Sequence, residues 1–119
     1  MGLTISEFYS RTGGNYQEVI SHLADEKRVA RFLKMFLSDP SFESLEEALE
    51  QGNIQEAFRA VHTLKGICLN MGFSGLFEEC SKVTEDLRSG NLEAGMQNMP
   101  ALRQRYRSIV ESIGQLDQV

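Results

Sequence analysis

One of the two histidines in this chain has neighbours that could support chemistry on its imidazole. His62 is followed three residues later by Lys65 and four residues later by Gly66. On a helix, residues three and four apart lie side by side. A neutral imidazole nitrogen can attack phosphorus, an ammonium can balance phosphoryl oxygens, and a position without a side chain lets another protein approach closely. The spacing therefore predicts a histidine that accepts and carries a phosphoryl group.

The segment around His62 predicts a helix that points this histidine away from the core. At about 100° per residue, its apolar residues collect on one side and His62 lies opposite them. The apolar stripe consists of Ala57, Ala60, Val61, Leu64, Ile67, Cys68 and Met71. A lone helical histidine is most often an ordinary surface residue, and a lone glycine is often a local packing choice. The outward position together with Lys65 and Gly66 favours the phosphoryl carrier.

Four more residues share the side of this helix on which the histidine lies. They are Gln55, Phe58, Arg59 and Leu69. Apolar side chains beside a reactive group predict a docking patch for a partner protein. The other interpretation is that Phe58 and Leu69 are flank residues covered by adjacent helices, and the sequence leaves both open.

The rest of the chain offers few other candidates for chemistry. His22 ends a predicted helix without a Lys-Gly companion and is interpreted as a structural or helix-capping residue. Neither histidine has the short ligand spacing of a metal site, so no metal or intrinsic cofactor is expected. Cys68 and Cys80 have apolar neighbours and are expected to be reduced core thiols of a cytoplasmic protein.

Composition argues against two further classes of protein. The net charge is −5, whereas nucleic-acid binding needs a concentrated basic face. No apolar run approaches the ~20 residues of a membrane span, and the first residues lack a signal-peptide pattern. The densest basic run is interpreted as a solvated stripe, or as a rim that steers an acidic partner. It comprises Lys27, Arg28, Arg31 and Lys34.

Helix signals recur along the whole chain, and no stretch shows the alternation of a strand. Breaks rich in Gly, Asn, Ser and Pro separate segments with apolar residues three and four apart. The predicted helices lie near 4–11, 15–22, 25–38, 40–51, 53–71, 74–89 and 91–116. Pro100 is expected to kink the last helix or to split off its first turns. The prediction is an all-α fold in which helices joined by short loops form an antiparallel bundle.

The residues around the histidine resemble the signature of the histidine phosphotransfer family. The run His-Thr-Leu-Lys-Gly from His62 to Gly66 matches the family's His-x-Leu-Lys-Gly pattern, and Gly72 stands ten residues after the histidine, as it does in that family. The resemblance covers essentially the whole chain. It implies that His62 is the phospho-acceptor, Lys65 the charge partner of the phosphate and Gly66 the steric opening.

The resemblance also implies an architecture and partners. It implies one domain over residues 1–119, with a four-helix bundle at 25–116 and a short N-terminal helical cap at 1–24. The partners would be response-regulator receiver domains, whose aspartate exchanges the phosphoryl group with the histidine, and sensor or hybrid histidine kinases. The receiver would supply Mg²⁺, and the chain would have no kinase activity of its own.

Several points stay open at this stage. In the family, a polar residue of the third bundle helix often hydrogen-bonds the histidine. The candidates here are Lys82, Thr84 and Glu85. A monomer is the default expectation. Two other functions also remain: a helical adaptor that binds receiver domains without phosphotransfer, and the phosphorylatable domain of a larger hybrid histidine kinase.

Overall fold

A computed structural model describes residues 2–117 and folds them into eight α-helices. They are α1 (Ile5–Thr12), α2 (Tyr16–Leu23), α3 (Glu26–Phe36), α4 (Ser41–Glu50), α5 (Ile54–Met71), α6 (Ser74–Arg88), α7 (Leu92–Gln97) and α8 (Met99–Ile113). Within this range, β pairing is limited to a single bridge between Leu3 and Leu116. The predicted all-α fold is confirmed. In the same range, no helix combines the length and apolar character that crossing a membrane requires.

Side-chain caps set the starts of several helices close to where the sequence predicts them. At the start of α1, the Thr4 hydroxyl accepts a hydrogen bond from the Glu7 N–H at 3.1 Å, and the Glu7 carboxylate accepts one from the Thr4 N–H at 2.9 Å. At the start of α5, Asn53 Oδ1 accepts from the Glu56 N–H at 3.1 Å. Because such a cap contributes about 1 kcal/mol, the helix that carries His62 has a locally fixed start.

The segment predicted as one helix over 91–116 is two helices, α7 and α8, which meet at Asn98. Pro100 lies in the first turn of α8, where its missing N–H costs no helical hydrogen bond. The Asn98 side chain donates to Asp86 of α6 at 2.6 Å, which holds the corner in place. The predicted split near Pro100 is confirmed.

The helix α5 packs most extensively against α4 and α6, and α6 also packs against α7 and α8. The predicted apolar stripe faces this packing, with Ala60 and Ile67 half-buried at its edges. Its buried members are Ala57, Val61, Leu64, Cys68 and Met71. Burial of this side fixes the opposite side of α5, which carries His62, toward solvent. The antiparallel four-helix arrangement of 25–116 stays a prediction.

The first two helices cover the end of α5. Helix α1 packs against α8, and α2 packs against α3 and α5. The Tyr9 hydroxyl donates to the Met71 carbonyl at 2.7 Å, and burial raises the pKa of Tyr9, so the phenol stays protonated. The Asn15 N–H donates to the Gly72 carbonyl at 2.8 Å. The predicted boundary of an N-terminal cap at residue 24 stays a prediction, and residues 1, 118 and 119 of the predicted domain lie outside the described residues.

Candidate functional site

His62 lies midway along the 18-residue helix α5, and its side chain is exposed. Because the opposite side of α5 is packed into the core, the imidazole projects toward solvent. The ring contacts Phe58, one turn earlier, with ring centroids 5.8 Å apart and planes tilted by 32°. The predicted exposed position of His62 is confirmed, and its role as phospho-acceptor stays a prediction.

The hydrogen bond expected from the third bundle helix is not formed among the described residues. The three candidates are all engaged within α6 itself. Thr84 is buried, and its hydroxyl donates at 2.7 Å to a backbone carbonyl one turn earlier. Lys82 and Glu85 form ion pairs with residues three positions away on the same helix, at 3.4 and 3.3 Å. None of the three is hydrogen-bonded to His62.

Lys65 extends sideways toward α6 rather than along α5. Its Nζ lies over the ring of Phe77, 5.6 Å from the ring centroid. The ammonium is therefore held above an aromatic face, one helical turn along from His62.

Gly66 has open space where a side chain would stand. A Cβ built at this position would meet nothing within 4 Å. Two other helical glycines differ, because a Cβ would lie 2.9 Å from the Arg105 guanidinium at Gly75 and 3.0 Å from Leu87 Cδ2 at Gly95. A glycine inside a helix costs about 1 kcal/mol relative to alanine. Contacts among the described residues give no reason for that cost at Gly66.

The predicted docking patch is partly exposed. Leu69 is 54% exposed, so the interpretation that adjacent helices cover it is wrong. Phe58 is half-buried, while Gln55 and Arg59 are exposed. Arg59 pairs with Glu56 at 3.0 Å on the same exposed face. The face around the histidine therefore combines apolar and polar groups that water can reach.

The N-terminal helix α2 borders the open space beside Gly66. A groove of about 440 Å³ between α2 and α5 is lined by Glu18, His22, Gly66, Leu69 and Asn70. His22 Nδ1 lies 3.0 Å from the Asn70 carbonyl oxygen. This agrees with the predicted structural role of His22, although the carbonyl that it binds belongs to the last turn of α5 and not to its own helix.

Sequence reasoning missed two residues of α6 that border the site. Phe77 lies under the ammonium of Lys65, and the Arg88 guanidinium lies over the Phe58 ring, 5.3 Å from the centroid. The two are eleven residues apart, about three helical turns, so they share one face of α6. This spacing can be seen in the sequence. It identifies residues that border the site only once the register between α5 and α6 is known.

Both cysteines of the chain lie inside the fold. Cys68 and Cys80 are buried and free of disulfides. Burial raises the pKa of the Cys68 thiol well above its usual range, and the neighbouring Cys80 thiol adds to the effect. Both therefore belong to the core, as predicted. Within residues 2–117, no group of three His, Cys, Asp or Glu side chains is arranged to hold a metal ion.

Comparison with known proteins places this chain in a family. No curated protein and no solved structure matched the chain. The model of the Hpt domain family matches residues 31–112, which is more than two thirds of the 119 residues and includes the whole helix that carries His62. Hpt domains are phosphotransfer modules of two-component signalling that work with receiver domains and histidine kinases and are not kinases themselves. Because the match covers most of its length, the chain belongs to the Hpt domain family.

Proposed function

We propose that this protein carries a phosphoryl group on His62 and passes it between receiver domains of a phosphorelay. The observation that carries the proposal is an exposed imidazole midway along a packed helix, with open space at Gly66 one turn away. The active-site loops of a partner can reach the imidazole only where the neighbouring positions leave such space. A general base working on a small substrate would instead need walls from its own chain.

Each transfer would exchange one bond to phosphorus for another. The lone pair of a neutral His62 nitrogen attacks the phosphorus of an aspartyl phosphate, and the P–O bond breaks as the P–N bond forms. The aspartate leaves as a carboxylate. In the reverse direction a receiver aspartate attacks the phosphohistidine. We expect the aspartate and Mg²⁺ to belong to the receiver, so the carrier needs no metal of its own.

Lys65 is proposed as the charge partner of the phosphoryl group. Its present contact with Phe77 is a cation–π interaction, which contributes about 0.5–1 kcal/mol at exposed sites. A hydrogen bond to a charged group contributes about 1.5–3 kcal/mol. We therefore expect the ammonium to leave Phe77 when His62 becomes phosphorylated.

The surface around the histidine is proposed as the contact face for the receiver. Leu69 offers exposed apolar area, Phe58 continues it beside the imidazole, and Gln55 and Arg59 supply a polar rim. An apolar centre with a polar edge is typical of protein–protein interfaces. The same surface would also serve an adaptor that binds receivers without taking phosphate, so a transfer experiment must separate the two functions.

The proposal is tested by incubating the protein with a receiver that carries radiolabelled aspartyl phosphate. We expect label on the protein that is stable in base and lost in acid, as a phosphohistidine is. His62→Gln should take up none. His22→Gln is the matched control, because it removes the other histidine, which is also exposed on a helix, and should be labelled normally.

Label that survives His62→Gln would contradict the proposal. So would the absence of base-stable label on the unchanged protein with every receiver of its host. If no label forms and receivers bind His62→Gln as well as they bind the unchanged protein, the protein is the helical adaptor instead.

A further inference from the structure

Helices α4 and α8 lie side by side and present opposite charges to solvent. The exposed charged residues of α4 are Glu43, Glu47 and Glu50. The charged residues of α8 are Arg103, Arg105, Arg107 and Glu111. Arg105 lies against Gly75 of α6. Because Arg103 and Arg107 are four residues apart and so share a face of α8, a basic row lies beside the acidic row of α4.

Two contacts fix the register between α4 and α8. Arg103 donates two hydrogen bonds to the Glu46 carboxylate, both at 2.9 Å. The rings of Phe42 and Tyr106 stack, with centroids 3.9 Å apart. A step forward along α4 from Phe42 to Glu46 corresponds to a step back along α8 from Tyr106 to Arg103. The two helices therefore run antiparallel.

This register sets acidic and basic side chains at matching levels. At a rise of 1.5 Å per residue, Glu43 is level with Arg107 to within about 2 Å, and Glu47 is level with Arg103 to within the same distance. Among the described residues, Glu43, Glu47 and Arg107 form no ion pair within the chain. Glu111, the acidic residue of α8, lies about one turn beyond the start of α4. The charges at matching levels are therefore available to a partner.

A second copy of the chain fits this pattern in one orientation. Rotating a copy by 180° about an axis parallel to α4 and α8 places its α8 against the first copy's α4, and its α4 against the first copy's α8, at the same levels. Each acidic row then faces a basic row. A two-fold axis across the helices would instead place α4 against α4, and like charges opposite one another are unfavourable.

The seam between α4 and α8 lies away from the side of the chain that carries His62. Helix α5 packs against α4 and α6, and α6 packs against α8. The contact between α5 and α6, where Lys65 meets Phe77, is therefore across the core from the seam between α4 and α8. Pairing of two copies through α4 and α8 would leave both imidazoles exposed.

We propose that two copies of this chain associate through α4 and α8 in a weak two-fold dimer. The inference does not depend on the phosphorylation of His62. A groove of about 270 Å³ at the seam adds apolar contact area, since Met96, which lines it, is 49% exposed. Helix α4 has only 10 residues, so the shared face is smaller than the ~800 Å² that a standard interface buries on each partner. We therefore expect a dissociation constant of about 0.1 mM.

Sedimentation equilibrium of the full chain measures this association, at protein concentrations up to about ten times that constant. At about 0.1 M salt the Debye length is about 10 Å, so the repulsion between two chains of net charge −5 is largely screened while charges in contact still attract. We compare the unchanged protein, Glu43→Arg, Arg107→Glu and the double variant. The matched controls are Glu78→Arg on α6 and Arg31→Glu on α3, which change the net charge equally at other exposed positions.

We expect each single reversal at Glu43 or Arg107 to weaken dimerisation by about tenfold or more, because every dimer contains the altered pair twice. The double variant should dimerise like the unchanged protein. An equimolar mixture of Glu43→Arg and Arg107→Glu should also dimerise, since the new charges face each other on one side of the mixed pair and the original charges on the other. Both controls should stay within about twofold of the unchanged protein. At about 1 M salt, where the Debye length is about 3 Å, the dimer of the unchanged protein should weaken.

Three outcomes would overturn the dimer. The first is an unchanged protein that stays monomeric over the whole concentration range. The second is association that Arg31→Glu weakens more than Arg107→Glu does, because the contact would then lie on α3. The third is a double variant, folded by circular dichroism, that dimerises no better than the single variants. None of these outcomes bears on labelling of His62, so this inference and the carrier function fail separately.

Discussion

Two glycines, one within α5 and one directly after its last residue, have opposite surroundings. Beside His62, Gly66 has no atom within 4 Å of a built Cβ. At the end of the helix, Gly72 has a φ of +70°, and a Cβ would lie 2.6 Å from the backbone oxygen of Asn15. Only a residue without a side chain allows the N-terminal segment to approach the end of α5 so closely. Gly72 is explained by contacts within the chain, and Gly66 is not.

The two histidines differ in the same way. His22 lies with its Nδ1 3.0 Å from the Asn70 carbonyl oxygen and so contributes to holding α2 on α5. The His62 imidazole contacts Phe58 and otherwise faces solvent. A residue that the fold uses is surrounded by partners from its own chain. Where the described fold does not require a residue's type, we infer that a partner protein does. Gly66 and His62 are both residues of this kind.

The largest effect that tests the comparison is expected at Gly72. Gly72→Ala should lower the free energy of unfolding by about 3 kcal/mol, because it combines left-handed backbone strain with a collision against backbone. Gly90→Ala is the matched control, since Gly90 has a φ of +80° but nothing within 4 Å, and should cost only about 1 kcal/mol. Urea unfolding followed by circular dichroism measures both. Equal losses would mean that the contact with Asn15 is unimportant.

The next largest effect is expected on the rate of phosphotransfer, at Gly66, the glycine with open space around it. Gly66→Leu should slow transfer from a phosphorylated receiver by about five- to a hundredfold, because forcing extra bulk into a packed contact costs about 1–3 kcal/mol. Its helix content should be unchanged or higher. The control is Gln104→Leu, which adds the same side chain at an exposed position. Gln104 lies on α8, a helix that packs against α1, α6 and α7, and the variant should transfer normally. Normal transfer by Gly66→Leu would show that no partner approaches there.

Local signals made much of this molecule predictable from sequence. Helix starts follow from caps such as Asn53, whose side chain binds a backbone N–H three residues on. The outward direction of His62 follows from the helical period, because the apolar stripe on the other side must be buried. The split near Pro100 follows from the missing N–H of proline. Each of these depends on residues within one or two turns.

Contacts between helices were not predictable from the same signals. The position of the Lys65 ammonium over Phe77 depends on the register between α5 and α6, as does the position of Arg88 over Phe58. Among the described residues, the expected hydrogen bond to His62 from the third bundle helix is not formed, and its three candidates have partners within α6. Sequence spacing gives the face of a helix on which a residue lies, but not the neighbour it meets.

The smallest effect is the sharpest test of why Gly66 is a glycine. Gly66→Ala should raise the free energy of unfolding by about 0.5–1 kcal/mol, because alanine favours the helix and restricts the unfolded chain. Gly95→Ala is the control, since its Cβ would lie 3.0 Å from Leu87 Cδ2, and packing strain should cancel the same intrinsic gain. Thermal unfolding measures both. A Gly66→Ala protein that is less stable than the original would mean that the fold does need this glycine. One that is more stable and yet slower in receiver transfer would place the need for Gly66 in the partner's approach to His62.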